Sequence, residues 1–262
     1  MGGVDRIRAS DAKKLAEGQE PGSDRVAPKT VSMSANILRF RTHRGASIDE
    51  RAVPLRRAVI AGWTQRDSVA REKHIAELEA LGVGRPASTP IYYRVSASRL
   101  TTSEEIEAVG ENSSGEVEFV LVRNEGDLWI GVGSDHTDRT VETYNVTVSK
   151  QMCDKPIAPE LWCFEDVRDH WDSLALRSWI EENGEARLYQ EGSVASILSP
   201  DQIIAGIAAT GRLAEGTALF CGTLPAKGGI RPSKKFSFEL FDPVRNVGIS
   251  HAYTVDILQS AG

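Results

Sequence analysis

The chain has 262 residues, 40% apolar and 26% charged, with a formal net charge of −6. That length suits one large domain or a domain with a small appendage, and the acidic balance argues against nucleic acid or an anionic membrane as partner. No apolar run reaches the ~18 residues of a membrane-spanning helix, no signal-peptide core is visible, and Cys153, Cys163 and Cys221 form no Cys-x-x-Cys pair, which together fit a reducing, cytoplasmic setting.

Residues 1–32 are polar, with Gly-Gly and Pro-Gly breaks, and read as a disordered leader or an added extension; Met33 is a candidate natural start. Residues 33–110 are expected to supply strands and a helix that pack on a β-rich domain at 111–262. Ile37 to Thr42 and Ala52 to Ile60 read as strands. A helix is predicted from about Asp67 to Leu81, with Ile75, Leu78 and Leu81 on one face and Gly82 as its stop. Pro86 and Pro90 mark a loop before a strand at Ile91 to Val95. Thr102-Ser103-Glu104-Glu105 has the pattern of a capping box, predicting a short helix from Ser103 to Ala108.

The stretch from Gly115 to Arg139 reads as a hairpin. Val117, Phe119 and Leu121 alternate with Glu116, Glu118 and Val120, Asn124 to Asp127 is a turn signal, and Leu128 to Val132 returns. Period-two alternation puts Glu116 and Glu118 on one face, roughly 6 to 7 Å apart. The second strand ends in Gly133-Ser134-Asp135-His136, delivering a third carboxylate. Carboxylates so gathered raise one another's pKa unless a cation neutralises them, and hard oxygen ligands suit Mg2+, Mn2+ or Ca2+ better than zinc. The competing reading is a solvated sheet face.

Downstream, Asn145 to Ser149 reads as a strand. Leu174 to Ile180 and Ala186 to Gln190 pair around the hairpin signal Asn183-Gly184, and Ser199-Pro200-Asp201-Gln202 starts a helix to about Ala209. Phe220 to Pro225 is a strand entering a glycine loop, and the tail alternates at Phe236, Phe238 and Leu240, turns at Asp242-Pro243, and alternates again at Tyr253, Val255 and Ile257. The expectation is mainly β with a few short helices (α+β), rolled or closed. Trp129, Trp162, Trp171 and Trp179 read as core or dimer anchors, and His170-Trp171-Asp172 as a structural turn.

The order of motifs from Gly115 to Leu258 resembles the fumarylacetoacetate hydrolase superfamily. The segments that carry the resemblance are Glu116-Val117-Glu118, Ser134-Asp135-His136-Thr137-Asp138-Arg139, Lys150 to Asp154 leading to Pro159 and Trp162, Gln190-Glu191-Gly192, Leu213 to Gly216, and Gly222-Thr223-Leu224-Pro225. The resemblance implies a mixed β-sandwich roll, a homodimer, and Mg2+ or Mn2+ (Ca2+ as a substitute) held by Glu116, Glu118 and Asp135. It implies a small anionic 2-oxo or acylpyruvate-type acid as substrate and chemistry through an enolate: C–C hydrolysis, decarboxylation, hydration or tautomerisation. Lys150 would hold a substrate carboxylate or enolate oxygen. Gln190, Gly222 and Thr223 would line the substrate, and Arg139 would orient the carboxylates or bind the acid. The chain departs from the pattern at Tyr93 to Leu100, which offers no lid histidine. His136 is then the candidate general base. Two further readings stand beside this one. One is a binding protein without catalysis. The other is a non-haem iron oxygenase built on His136 and Asp138 with His170 or His251.

Overall fold

Alternating burial along the strands sorts the side chains into two cores, one between two sheets and one inside the curl of the larger sheet. The computed structural model describes residues 34–80 and 85–261, and Ser34–Gly262 cluster as one unit. In chain order its main elements are β1 (Asn36–Arg44), β2 (Ser47–Leu55), β3 (Arg57–Gly62), α1 (Ser68–Ala80), β4 (Ile91–Val95), β5 (Leu100–Thr101), β6 (Glu105–Val109), β7 (Ser113–Ser114), β8 (Val117–Asn124) and β9 (Asp127–Ser134). There follow β10 (Thr137–Asp138), α2 (Arg139–Glu142), α3 (Val146–Met152), β11 (Lys155–Pro156), β12 (Glu160–Cys163), β13 (Ala175–Glu182), β14 (Glu185–Ser193), α4 (Pro200–Ile207), β15 (Thr217–Phe220), β16 (Lys235–Asp242) and β17 (Val247–Leu258).

Eight strands form a sheet in the order β2-β1-β12-β9-β8-β15-β3-β4 that curls into a half-barrel, and a five-stranded sheet in the order β14-β13-β16-β17-β6 packs across it. β8 shows how the pattern builds both cores. Phe119 and Leu121 point to the inter-sheet core with Leu176, Phe236 and Phe238, while Val120 and Val122 point into the curl with Phe40, Val53 and Phe220. Each such side chain contributes ~1.5–3 kcal/mol by leaving water. Trp171 closes one end of the inter-sheet core, its ring edge-on to Phe119 at 4.9 Å. Among the described residues, no helix is long and apolar enough to cross a membrane, and all three cysteines are free and buried.

Several element expectations change. β1 to β4 belong to the same sheet as β8 and β9, and β6 to the smaller sheet. Ala52 to Ile60 is two strands broken at Arg56. Glu105–Val109 is a strand, not a helix: Ile106 and Ala108 alternate as buried positions, and β6 pairs in parallel with β17. Ser103, expected to be the first residue of that helix, accepts the Glu105 N–H in a local turn instead. Asn145 to Ser149, strand-like from Val-Thr-Val, is the start of α3; the Asn145 side chain accepts the Val148 N–H at 3.0 Å and caps it. Helix α1 matches its predicted span as far as Ala80; Leu81, Gly82 and the Leu78 side chain lie outside the described residues, as does the leader. The capping box at Ser199 and Gln202 is formed in both directions.

Candidate metal centre

Strand register brings the acidic side chains together. In the β8–β9 ladder Val117 faces Ser134 and Glu118 faces Gly133, and just beyond the ladder the Asp135 N–H donates to the Glu116 carbonyl at 3.0 Å. Glu116 and Asp135 are therefore cross-strand neighbours, with Glu118 one pleat further in. Ligand oxygens of Glu116, Glu118 and Asp135 all lie within 4.8 Å of one another, and this is the one such cluster among the described residues. Glycines make room for it. A Cβ at Gly115 would stand 2.7 Å from the Tyr253 hydroxyl and 2.8 Å from the Phe236 ring. At Gly222 φ is +99° and a Cβ would meet Thr64 Oγ1 at 1.8 Å; its N–H donates to Glu118 Oε2 at 2.7 Å.

Cations surround the carboxylates. Lys150, carried inward by α3, pairs with Asp135 Oδ2, and its Nζ is 4.0 Å from Glu142 Oε1 and 5.8 Å from the Tyr93 ring centre. Lys155, fully buried on β11, brings Nζ to 3.3 Å from Asp135 Oδ1. The Arg139 guanidinium is 3.3 Å from Glu116 Oε1, donates to Glu142 Oε2 at 2.7 Å and to Ser114 Oγ at 2.7 Å. Four carboxylates thus face three cations.

The electrostatics separate the three ligands. Burial opposes ionisation of Asp135, but Lys150 and Lys155 outweigh it and hold its carboxyl down at about 2. Burial, reinforced by Asp135, pushes Glu118 well above the usual carboxylate range despite the Gly222 N–H. Burial likewise raises Glu116, with Arg139 opposing. A divalent ion would relieve both glutamates. Asp135 Oδ1 is buried and makes no hydrogen bond. Three hard oxygens, with Asp135 Oδ1 met only by the Lys155 ammonium at 3.3 Å, fit a small divalent ion, around which ligand oxygens stand about 3 Å apart as neighbours and about 4 Å across.

Other candidate residues are placed differently from expectation. His136 is fully buried, with Nδ1 2.8 Å from the Tyr253 hydroxyl and Nε2 2.8 Å from Ser113 Oγ. Burial, aided by Lys155 and Arg139, lowers its pKa to about 3 and keeps the imidazole neutral. Among the described residues no histidine joins a cluster of three potential metal ligands; His170 pairs with Asp242 at 2.9 Å and His251 reaches the Ser103 carbonyl at 3.0 Å. Gln190 lines the cavity and also braces the fold. Its Oε1 accepts from the Val117 N–H at 3.0 Å and the Ser178 hydroxyl at 2.9 Å, and its Nε2 donates to Thr223 Oγ1 at 2.8 Å and the Leu224 carbonyl at 2.6 Å. The Thr223 hydroxyl donates in turn to the Val117 carbonyl at 2.8 Å. Together they pin the glycine loop to the start of β8. Lys155 was missed in sequence because Lys-Pro in a loop-rich stretch carries no sign of burial. Ser113, Ser134 and Tyr253, which support His136, were hidden in the same way.

A cavity of about 770 Å³ opens on Glu116, Gln190 and Thr223 and runs toward Ile230 and the start of α1. The fold and this centre define a curled β protein with a carboxylate triad at the end of a cleft. Residues 61–253 match the model of a family described as "Protein of unknown function (DUF2848)", and the chain belongs to that family. No curated protein matches. Among solved structures it is similar to 2-keto-3-deoxy-D-arabinonate dehydratase complexed with magnesium and 2,5-dioxopentanoate, at 17% identity over 81% of this chain and 78% of that one, with TM-score 0.55. It is similar also to Cg1458 with inhibitor, at 18% identity over 81% of each chain, with TM-score 0.54. These likenesses are of fold.

Proposed function

We propose that the chain is a divalent-metal-dependent enzyme of the fumarylacetoacetate hydrolase type, a β-roll acting on a small 2-oxo carboxylic acid through an enolate. The observation that carries this is the convergence of Glu116, Glu118 and Asp135 beside a cavity, their ligand oxygens all within 4.8 Å of one another. The dehydratase of similar fold, with its magnesium and dioxo acid, supports the same reading. Glu116, Glu118 and Asp135 would hold Mg2+ or Mn2+, which when bound polarises a chelating 2-oxo acid and favours loss of a C3 proton. Arg139 orients Glu116, and Lys150 and Lys155 fix the Asp135 carboxylate while offering positive charge to an anionic substrate. Lys150 and Lys155, as ammonium ions paired with Asp135, cannot accept the C3 proton, which would pass to water entering from the cavity.

The test is deuterium exchange at C3 of 2-oxobutyrate in D2O, followed by NMR with and without Mg2+ or Mn2+. Ion-dependent exchange, abolished in Glu118→Gln, is the expected result. Ion and acid binding without exchange would replace the enzyme by a binding protein. Failure to bind either ion would remove the metal reading. The homodimer expectation belongs to the same proposal and is checked by light scattering.

A further inference from the structure

The face of the large sheet that backs the inter-sheet core ends in a row of polar side chains. Leu121 on β8, Leu219 on β15 and Val59 on β3 lie side by side in that core. One pleat further along the same face, Thr217 on β15 stands between Arg123 on β8 and Arg57 on β3. Neighbouring strands are about 4.8 Å apart, so both arginines start within reach of the Thr217 side chain. Arg94 on β4 is opposite Val59 on this face, which places it diagonally across from Arg57, roughly 7–8 Å away at the backbone. The Arg56 guanidinium lies against Gly216, where a Cβ would stand 3.4 Å from its Nη1.

The row is out of balance in two ways. Four guanidinium groups meet one carboxylate: Glu215 pairs with Arg123, Nε to Oε1 at 3.1 Å, and is itself 55% exposed. Arg56, Arg57 and Arg94 are exposed and, among the described residues, have no hydrogen bond or ion pair. Burial, and after it the charge on Arg57, hold the Arg94 guanidinium below its usual pKa, the reverse of what a paired arginine shows. This positive charge gathers on a chain whose net charge is −6. The second imbalance is at Thr217, which is 2% exposed and keeps its Oγ1 buried without a hydrogen-bond partner.

Like charges on neighbouring strands repel, and an orphaned hydroxyl gives up its bonds to water without replacement. One kind of ligand removes both costs. A tetrahedral oxyanion presents acceptors in several directions, so that guanidinium forks take two of its oxygens and the Thr217 hydroxyl donates to a third. The arginines beside that hydroxyl are long and flexible, and can part to admit an anion and close on it.

We propose that Arg57, Arg94, Arg123 and Thr217 form an oxyanion site that takes a phosphate group, either free phosphate or the terminal monoester of a small molecule. It does not depend on the metal reading: Arg123 is five residues along β8 from Glu118, about 16 Å at ~3.3 Å per residue.

The experiment is calorimetric titration of the full chain with inorganic phosphate and with glycerol 3-phosphate, at about pH 8 where both are mostly dianions, in EDTA and at constant ionic strength. Binding is expected with a dissociation constant on the order of 1 mM or below. Arg94→Gln and Thr217→Val should each weaken it about tenfold. Without phosphate, Thr217→Val should melt at or above the wild-type temperature, since valine keeps the shape and drops the orphaned hydroxyl. A response to glycerol 3-phosphate assigns the site to a monoester, and a response to phosphate alone assigns it to the free ion. No binding, a signal that chloride reproduces, or binding that both variants retain overturns the proposal. So does a Thr217→Val protein that melts several degrees lower, because the hydroxyl would then have a structural partner.

Discussion

Glu118→Gln separates what the triad does for stability from what it does for binding. Glu118 is buried at 2% exposure, its carboxyl is held well above the usual range by burial and by Asp135, and its Oε2 accepts the Gly222 N–H at 2.7 Å. Glutamine keeps the shape and can keep that hydrogen bond, while removing a charge that is costly to bury. The metal-free variant should therefore melt at or above the wild-type temperature, gaining up to ~2 kcal/mol. In the wild type, Mg2+ at a hundred times its dissociation constant should add ~2.7 kcal/mol, or roughly 5–10 °C for a domain of this size. Losing one of three charged ligands should weaken the ion on the order of a hundredfold, ~2.7 kcal/mol, so that nearly all of this shift disappears. Thermal melts of both proteins across an Mg2+ series read both effects. A variant that keeps the wild-type shift would refute the assignment of Glu118 as a ligand. One that loses several kcal/mol without metal would refute the argument from burial.

Gly222→Ala places a methyl 1.8 Å from Thr64 Oγ1 at a φ of +99°; a melting temperature lower by 5 °C or more, together with a loss of metal response, is expected. Lys150→Met leaves Asp135 with one buried ammonium partner, Lys155; urea unfolding of the metal-free protein should show a loss of ~3 kcal/mol, part of which Mg2+ restores. His136 has a folded pKa of about 3, below its ordinary unfolded value near 6.5, so the unfolded chain takes up the proton first as pH falls. Its contribution is present above 6.5 and is lost between there and about 3, at up to ~1.4 kcal/mol per pH unit. His136→Asn should remove that slope in denaturation measured at pH 7 and pH 5. It should also leave no missing limb near neutrality in any pH–rate profile.

The acidic hairpin was legible because strand alternation and a strong turn signal act over a few residues, and the register they impose is enough to gather three carboxylates. The hairpin at Asn183-Gly184 and the helix start at Ser199 were legible for the same reason. What failed was decided at longer range. Glu105–Val109 reads as a helix start until β17 is there to pair with it, and Val146-Thr147-Val148 reads as a strand until α3 is needed to carry Lys150 inward. The surroundings of His136 and Gln190 were likewise set at long range: their hydrogen-bond partners Tyr253, Ser113, Thr223 and Leu224 come from distant parts of the chain. Lys155 left no local trace, since burial of a lysine is a property of the finished fold.

The backbone bond from Asp135 to Glu116 gives the centre the stiffness of a sheet. Glu118 stands in β8, and Glu116 and Asp135 lie directly beyond the β8–β9 ladder joined by that bond, so the spacing of the three carboxylates is tied to the ladder. A shift of that ladder by one residue would send Glu118 into the inter-sheet core and bring Phe119 to the ion's place. An ion that needs longer bonds and more ligands must then recruit them from the cleft, because the strands cannot spread without breaking their own hydrogen bonds. Under the proposed reading, discrimination by ionic radius would be built into the pairing of the strands, and lengthening the turn at Asn124 to Asp127, far from the triad, should leave it untouched.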